Sequence, residues 1–350
     1  MEKIINVGIA GFGMSARVFH APFLDLDPRY RIRKIYERTQ EKSKEIYPYV
    51  EVVHDYDDLL TNDINLVIIC TPNDQHYSMA KKAIEKKINV IVEKPMTITS
   101  FEAFELCKLA KLHNVMFSVY QNRRFDGDFL TVKKLIDEGV LGDIVDYEVR
   151  FNRYVVGKSS KVWKANGGLG INVLYDLGVH LIDQAVDLFG LPKSIYATLR
   201  KEREVSASID YFLVILNYNH LQVKLYSSET AIGRFPNFAV WGKSGSFIKF
   251  GTDVQEQNSI SGMKPNDVNF GSDKVTNYGT MTQFVNNETI FTTIPTENGN
   301  YQKYYDNIYE VLTSKAELIV KPEQCARVIA ILELAEQSSI EKREIDINSL

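Results

Sequence analysis

The chain has 350 residues, a length that as a prior fits two domains. Its 45% hydrophobic and 25% charged residues exclude a disordered chain, and a net charge of −4 with no Lys/Arg block argues against a nucleic-acid partner. Cys70, Cys107 and Cys325 are odd in number and far apart in apolar surroundings. They read as buried thiols of a reducing compartment, not as a disulfide frame or a zinc site. No cationic leader opens the chain and no run approaches the ~20 apolar residues of a membrane helix, so a cytoplasmic protein is expected.

Up to residue 121 short apolar runs alternate with amphipathic ones. "IINVGIA" reads as a strand, a helical stretch follows its glycines, "YRIRKIYE" is a second strand and "TQEKSKEIYP" a short helix. "LVIICTP" is a strand buried on both faces, "DQHYSMAKKAIEKK" an amphipathic helix and "INVIVEKP" another buried strand. "TSFEAFELCKLAKLHN" is a helix with a Ser/Thr cap, and "VMFSVYQ" a last strand. Buried strands alternating with helices predict an α/β unit with a parallel sheet.

After Gln121 the rhythm changes. "DGDFLTVKKLIDEGVLG" predicts a helix ending in glycine, and "DIVDYEVRFNRYVV" a long antiparallel-type strand. The glycine-rich "KANGGLG" precedes a helix over 173–189. "SIYATLRKE", "DYFLVILNY", "LQVKLYSSE", "FAVWGKSGSFIKFG" and "ETIFTTIP" are strand-like and predict a mixed or antiparallel sheet. Most of 252–300, rich in Asn, Ser, Thr and Gly, reads as surface loop; two helices close the chain over 302–314 and 322–338. The domains expected are 1–121 and 122–350, with the closing helices packing back on the first.

Gly11-Phe12-Gly13-Met14-Ser15-Ala16 fits G-x-G-x-x-G/A between a strand and a helix. The first glycine permits the tight turn, and the second lets backbone N–H groups approach a pyrophosphate. The third position must be small for the helix to pack on the strand. The helix N-terminus adds free N–H donors for the phosphates. Glu37 follows Ala16 by 21 residues and is placed to accept from adenosine ribose hydroxyls. Arg38 beside it could stack on adenine or pair a 2′-phosphate, which Glu37 would repel, so NAD or NADP is expected with a lean to NAD.

Ligands of open α/β sheets bind beyond the carboxyl ends of the strands. Two such ends here carry polar residues: Thr71, Pro72, Asn73 and His76 in "CTPNDQH", and Glu93 and Lys94 in "EKP". Lys94 reads either as a loop charge or as a desolvated group useful in proton transfer or alkoxide stabilisation. In the second half Asp176 and His180, four apart, share one helix face, continued by Asp183, Gln184 and Asp187. Alone, that stripe is most simply a solvated face. Asp176, His180 and Asp183 could ligate an ion, but no fourth ligand has diagnostic spacing, and no metal is expected.

The order G-x-G-x-x-A, T-P-N-x-x-H, E-K-P and a D-x-x-x-H helix after a glycine loop resembles the Gfo/Idh/MocA oxidoreductases over the whole chain. "FHAPF", "YQNRRFD", "VLYDLGVHLIDQ" and "GSFIKFGTDVQE" are similar to the branch that holds an NADP-dependent inositol dehydrogenase. The resemblance implies an N-terminal Rossmann domain and a C-terminal α/β domain with a large, mostly antiparallel open sheet that commonly forms an oligomer interface, here a homodimer or homotetramer. It implies that Lys94 bridges nicotinamide and substrate, that Asp176 and His180 are the family's Asp–His pair, and that Arg123 contacts substrate. Gln121 and Trp163 would border the nicotinamide. In a polyol dehydrogenase His180 would take the hydroxyl proton, Lys94 would stabilise the alkoxide and Asp176 would orient the substrate. A sugar or cyclic polyol is the expected substrate; Arg123, Arg124 and Arg153 leave an acidic one open. A non-catalytic dinucleotide sensor and a redox-assisted hydrolase are the other readings.

Overall fold

The computed structural model describes residues 3–157, 170–314 and 316–347. The chain forms two compact units, each assembled from three stretches. One gathers Met1–Phe125, Val254–Gly271 and Asn300–Ala326, the other Asp126–Asp253, Ser272–Gly299 and Arg327–Leu350.

The first unit is built on six parallel strands: β1 (Ile5–Ala10), β2 (Tyr30–Tyr36), β3 (Glu51–Val53), β4 (Leu66–Ile69), β5 (Asn89–Val92) and β6 (Phe117–Val119). Their spatial order is β3-β2-β1-β4-β5-β6. Every residue of β4 is wholly buried, which is why its sequence is an unbroken apolar run. The order reverses between β1 and β4, and the crevice beyond their carboxyl ends is where such sheets take ligands. The connecting helices are α1 (Ala21–Leu26), α2 (Lys42–Ile46), α3 (Tyr56–Leu59), α4 (Asn73–Glu85) and α5 (Ser100–His113). Thr99 and Glu102 close a reciprocal capping box at the start of α5, and Asn114 ends it in the left-handed region at φ 54°.

The helix entering α1 is not regular. Residues Ala16–His20 form a π-turn, in which the Ala21 N–H reaches back five residues to the Ala16 carbonyl. Pro22, two residues after His20, has no N–H to continue an α ladder and its ring crowds the turn before it.

Later stretches of chain complete the core of this unit with aromatic rings. Tyr305 stacks on Phe23 at 6.1 Å between ring centroids, Phe270 lies 6.0 Å from Phe23, and Tyr304 meets Tyr120 edge-on at 4.9 Å. Their hydroxyls are paired inside: Tyr30 donates to the Tyr305 carbonyl at 2.6 Å and Tyr304 to Ser118 Oγ at 3.0 Å.

The second unit carries α6 (Gly127–Asp137), α7 (Val179–Phe189) and nine strands. These are β7 (Ile144–Arg150), β8 (Ser194–Arg200), β9 (Tyr211–Asn217), β10 (Gln222–Ser228), β11 (Phe238–Gly242), β12 (Gly245–Lys249), β13 (Gly279–Val285), β14 (Glu288–Ile294) and β15 (Ile345–Asp346). The order is β14-β13-β12-β11-β7-β10-β9-β8-β15; β7 and β10 run parallel and the other neighbours antiparallel. Phe212, Val214 and Leu216 of β9 alternate with half-buried residues, so one face packs inward and the other stays open. On the inner face the Tyr147 ring meets Phe189 of α7 at 5.2 Å.

Three expectations need correction. The long strand expected over 143–156 ends at Arg150, because Asn152 offers its side-chain Oδ1 to the Ser228 N–H in place of a ladder carbonyl. Within the expected loop of 252–300 lie two elements that were not expected, the helix Gln255–Ile260 and β13, which pairs with the expected strand β14 as a hairpin. That hairpin turns on Asn286 and Asn287, both at positive φ, the conformation of a two-residue turn that asparagine tolerates. The helix over 173–189 begins as a π-turn, Leu174–Gly178, before the α-helical α7.

Candidate active site

The glycine turn follows β1. Gly11 has φ +93°, and a Cβ there would stand 3.1 Å from the Cys70 carbonyl oxygen, so glycine alone suits the position. Gly13 differs: a Cβ built on it meets no atom of the described residues within 4 Å, so among them open space lies over the turn. Ala16 is wholly buried against the sheet, Phe12 packs edge-on against Tyr47, and Met14 stands half-exposed on the rim. This cradle fits the pyrophosphate of a dinucleotide.

Glu37 ends β2 but its carboxylate is engaged. Oε1 accepts from the Ser43 N–H at 2.9 Å and the Ser43 hydroxyl at 2.5 Å, and Oε2 from the Lys42 N–H at 3.1 Å. Glu37 therefore satisfies the open N–H groups at the start of α2, while Arg38 beside it is exposed.

At the ends of β4 and β5 two turns are stapled together. His76, wholly buried, meets the Pro95 carbonyl with Nδ1 at 2.8 Å and the Thr71 carbonyl with Nε2 at 2.9 Å. Both ring nitrogens are occupied, and they hold Thr71 and Pro95 in place. Burial lowers its pKa, with the two carbonyls opposing. Thr71 Oγ1 donates to the Met79 sulfur at 3.3 Å; Pro72 precedes α4 and Asn73 opens it.

Glu93 is 8% exposed and receives four contacts worth naming. His20 Nε2 lies 2.8 Å from Oε1, the Ser15 hydroxyl donates to the same oxygen, and the Lys94 N–H donates to Oε2 at 3.0 Å; the Lys94 ammonium adds its charge. Burial pushes the carboxyl up, and the His20 hydrogen bond, Ser15 and Lys94 together hold it below the usual range. Lys94 itself is half-buried at the end of β5. Gln121, 2% exposed just beyond β6, has its Oε1 without a hydrogen-bond partner among the described residues, an acceptor suited to a carboxamide N–H such as that of nicotinamide. Arg123 is 2.6 Å from Glu256 through Nη2, so a substrate reaching it meets an ion pair and not an isolated cation. Arg124 is buried, with Nη1 on the Gln324 side chain at 3.3 Å, a structural role.

In the second unit the stripe on α7 is not a solvated face. His180, Asp183 and Gln184 are 3%, 1% and 1% exposed, and Asp176, on the π-turn, is half-buried. Groups this far from solvent must each find polar company inside the protein. Asp187, further along, forms a surface-side pair with Lys133 at 2.9 Å. Trp163 lies outside the described residues. Among the described residues no group of three or more His, Cys, Asp or Glu is arranged to hold a metal ion, and no helix is long and apolar enough to cross a membrane.

Ser15, His20 and Glu256 were not singled out by sequence reasoning. His20 meets Tyr305 across 285 residues, Ser15 meets Glu93 across 78, and Arg123 meets Glu256 across 133. No local period reports such contacts.

Comparison with known proteins agrees with this geometry. Residues 5–121 match the oxidoreductase family's NAD-binding Rossmann fold, and residues 133–347 its C-terminal alpha/beta domain. The chain is 42% identical over 343 residues to scyllo-inositol 2-dehydrogenase (NADP(+)) IolW of Bacillus subtilis, covering 97% of this chain and 95% of that protein. The crystal structure of yvaA from Bacillus subtilis superposes with a TM-score of 0.96 at 41% identity, covering 99% of both chains. An oxidoreductase from Bacillus cereus gives 0.90 at 33%, again over 99% of both. With a glycine cradle, a reversed parallel sheet and an open nine-stranded partner sheet all in place, the chain is a nicotinamide-dinucleotide-binding oxidoreductase of the Gfo/Idh/MocA family.

Proposed function

We propose that the protein is a polyol or sugar dehydrogenase that uses NADP(H) and acts on a CH–OH group. The single observation that carries the reading is Lys94, a half-buried lysine at the carboxyl end of a buried parallel strand, tied to the glycine turn through Glu93 and Ser15. The relative from Bacillus subtilis, named as a scyllo-inositol 2-dehydrogenase, supports the substrate class. Glu37 supports the choice of cofactor. Its oxygens are occupied by three donors of residues 42 and 43, which leaves them less available to ribose hydroxyls, and Arg38 stands exposed next to it.

A bound nicotinamide dinucleotide supplies the hydride acceptor. Backbone N–H groups of Gly11–Met14 bind its phosphates, and Gln121 Oε1 orients the carboxamide. The Lys94 ammonium stabilises the alkoxide that forms as the substrate hydroxyl loses its proton. His180 takes that proton, and Asp176 orients the polyol and the imidazole. Arg123, restrained by Glu256, adds hydrogen bonds to further hydroxyls. Exposed Phe284 and Phe291 on the outer strands β13 and β14 support a homo-oligomer. The test is a screen of inositol isomers and aldoses with NADP+ and NAD+, followed by absorbance of the reduced cofactor. Turnover of a cyclic polyol with NADP+ is expected. Absence of reduction with every polyol, in protein that binds NADPH, overturns the reading.

A further inference from the structure

Beyond the groups assigned to chemistry, the first unit buries a hydrogen-bonded chain that the mechanism does not use. His20 is wholly buried; its Nε2 faces Glu93 Oε1 at 2.8 Å and its Nδ1 faces the Tyr305 hydroxyl at 2.7 Å. Glu93 as a carboxylate can only accept, so Nε2 carries a proton. The Tyr120 ring lies 4.4 Å from the imidazole, and the Tyr120 and Tyr305 hydroxyls both reach the Phe19 carbonyl, at 3.0 and 3.2 Å. The imidazole is thus clamped on its edge and its face. A carboxylate in such an aromatic surrounding is expensive to bury, and an apolar residue would fill the volume at lower cost.

What the carboxylate does with its other contacts is informative. Oε1 also takes the hydroxyl of Ser15, which lies inside the glycine turn, and Oε2 takes the N–H of Lys94. One side chain therefore joins the cofactor cradle to the main chain of the proposed catalytic lysine.

We propose that Ser15, Glu93 and His20 form a positioning array, in which His20 fixes the Glu93 carboxylate so that it holds the cradle and the Lys94 peptide in one fixed arrangement. This rests on the reading of Lys94 as a group that touches substrate. The π-turn at Ala16–His20 is part of the device, because the wide turn carries His20 inward to Glu93.

The experiment compares Ser15→Ala, His20→Gln and His20→Leu with the parent and with Lys94→Ala. The first readout is amide hydrogen exchange of the cofactor-free protein. Faster exchange over residues 93–97, with the β4 segment 66–69 unchanged, is expected in Ser15→Ala and His20→Leu, and less of it in His20→Gln, whose amide can still donate to Glu93. The second readout is turnover of the polyol found active, with NADPH affinity measured separately by fluorescence titration. A fall in kcat of about tenfold or more is expected in His20→Leu, partly rescued in His20→Gln, with substrate KM and NADPH affinity changed less than about threefold. Should His20→Leu fail to fold, Ser15→Ala and His20→Gln carry the same test. Parent-like exchange over 93–97 in all folded variants overturns the proposal, as does parent-like kcat in them when Lys94→Ala is inactive. Parent-like turnover in Lys94→Ala overturns instead the reading of Lys94 on which it rests.

Discussion

Alanine at Gly13 separates the cradle from the fold. A Cβ on Gly13 meets no atom of the described residues within 4 Å, and the residue does not have a left-handed φ, so the added methyl strains nothing among them. Replacing glycine under those conditions reduces the freedom of the unfolded chain and stabilises by about 0.4–1 kcal/mol. In a chain of this size the melting temperature then moves by no more than about 2–4 °C. The methyl does occupy the open space over the turn, where the pyrophosphate would approach the backbone. A tenfold loss of NADPH affinity corresponds to about 1.4 kcal/mol, and a loss of at least that size is expected. Gly11→Ala is the contrasting variant. At φ +93° and 3.1 Å from the Cys70 carbonyl oxygen it strains the native backbone, and about 1–3 kcal/mol of stability should go. The assays are thermal melts without cofactor and NADPH titration by fluorescence. Gly13→Ala protein that melts like the parent and binds NADPH like the parent would refute the assignment of this turn as the phosphate site.

Lys94→Ala should lower kcat by about 10²–10³ while NADPH titration stays close to the parent, the pattern of a lost transition-state contact. Arg38→Ala should lower the NADPH over NADH preference by at least about tenfold, read from kcat/KM with each cofactor; an unchanged ratio removes Arg38 from phosphate recognition. The buried pair Lys249–Asp273, at 2.7 Å, makes a stability prediction. Burial pushes the Asp273 carboxyl up, but Lys249 and Asn277 hold it below its ordinary value. A carboxyl lowered by folding contributes stability above its unfolded pKa of about 4 and loses it as pH falls through the folded value. Lys249→Met should cost about 3–5 kcal/mol near neutral pH and flatten the acid limb of a stability-against-pH curve. Burial also pushes Cys107 up to about 12 and Cys70 well above the ordinary thiol range, so both should resist a thiol reagent in the native protein and react once it is unfolded.

The inner strands of the first sheet were readable because they are buried on both faces and the composition of "LVII" and "NVIV" shows it, whereas the three-residue β3, exposed at Glu51, offered no such run. The second sheet was readable strand by strand, except for β13 and the two-residue β15. "GTMTQFV" is polar on one side and half-exposed on the other, so its pattern resembles the loop around it. The Asn-Asn turn after it was the available signal. At the site, the motifs pointed to the glycine turn and to Lys94, because glycine conformation and a lysine at a strand end are local properties. The employment of Glu37, His76 and Arg123 was hidden. Each is set by a hydrogen-bond partner that composition does not announce: Ser43, Pro95 and Glu256. The solvated reading of the α7 stripe failed for the same reason, since a polar face is the same sequence whether water or protein covers it.

The alternation of the two units along the chain has a consequence for how the protein is made. Three stretches belong to each unit and they alternate, so the backbone crosses between units five times before it ends. A ribosome that has released residues 1–125 has delivered all six strands of the parallel sheet but none of Phe270, Tyr301, Tyr304 or Tyr305, whose rings cover Phe23 and Tyr120. That nascent sheet carries an uncovered aromatic surface, a typical target for chaperones and for aggregation. Its completion waits for residues beyond 300, so a gene fragment ending near the first unit boundary should yield insoluble protein, and supplying the missing stretches on the same chain should restore it.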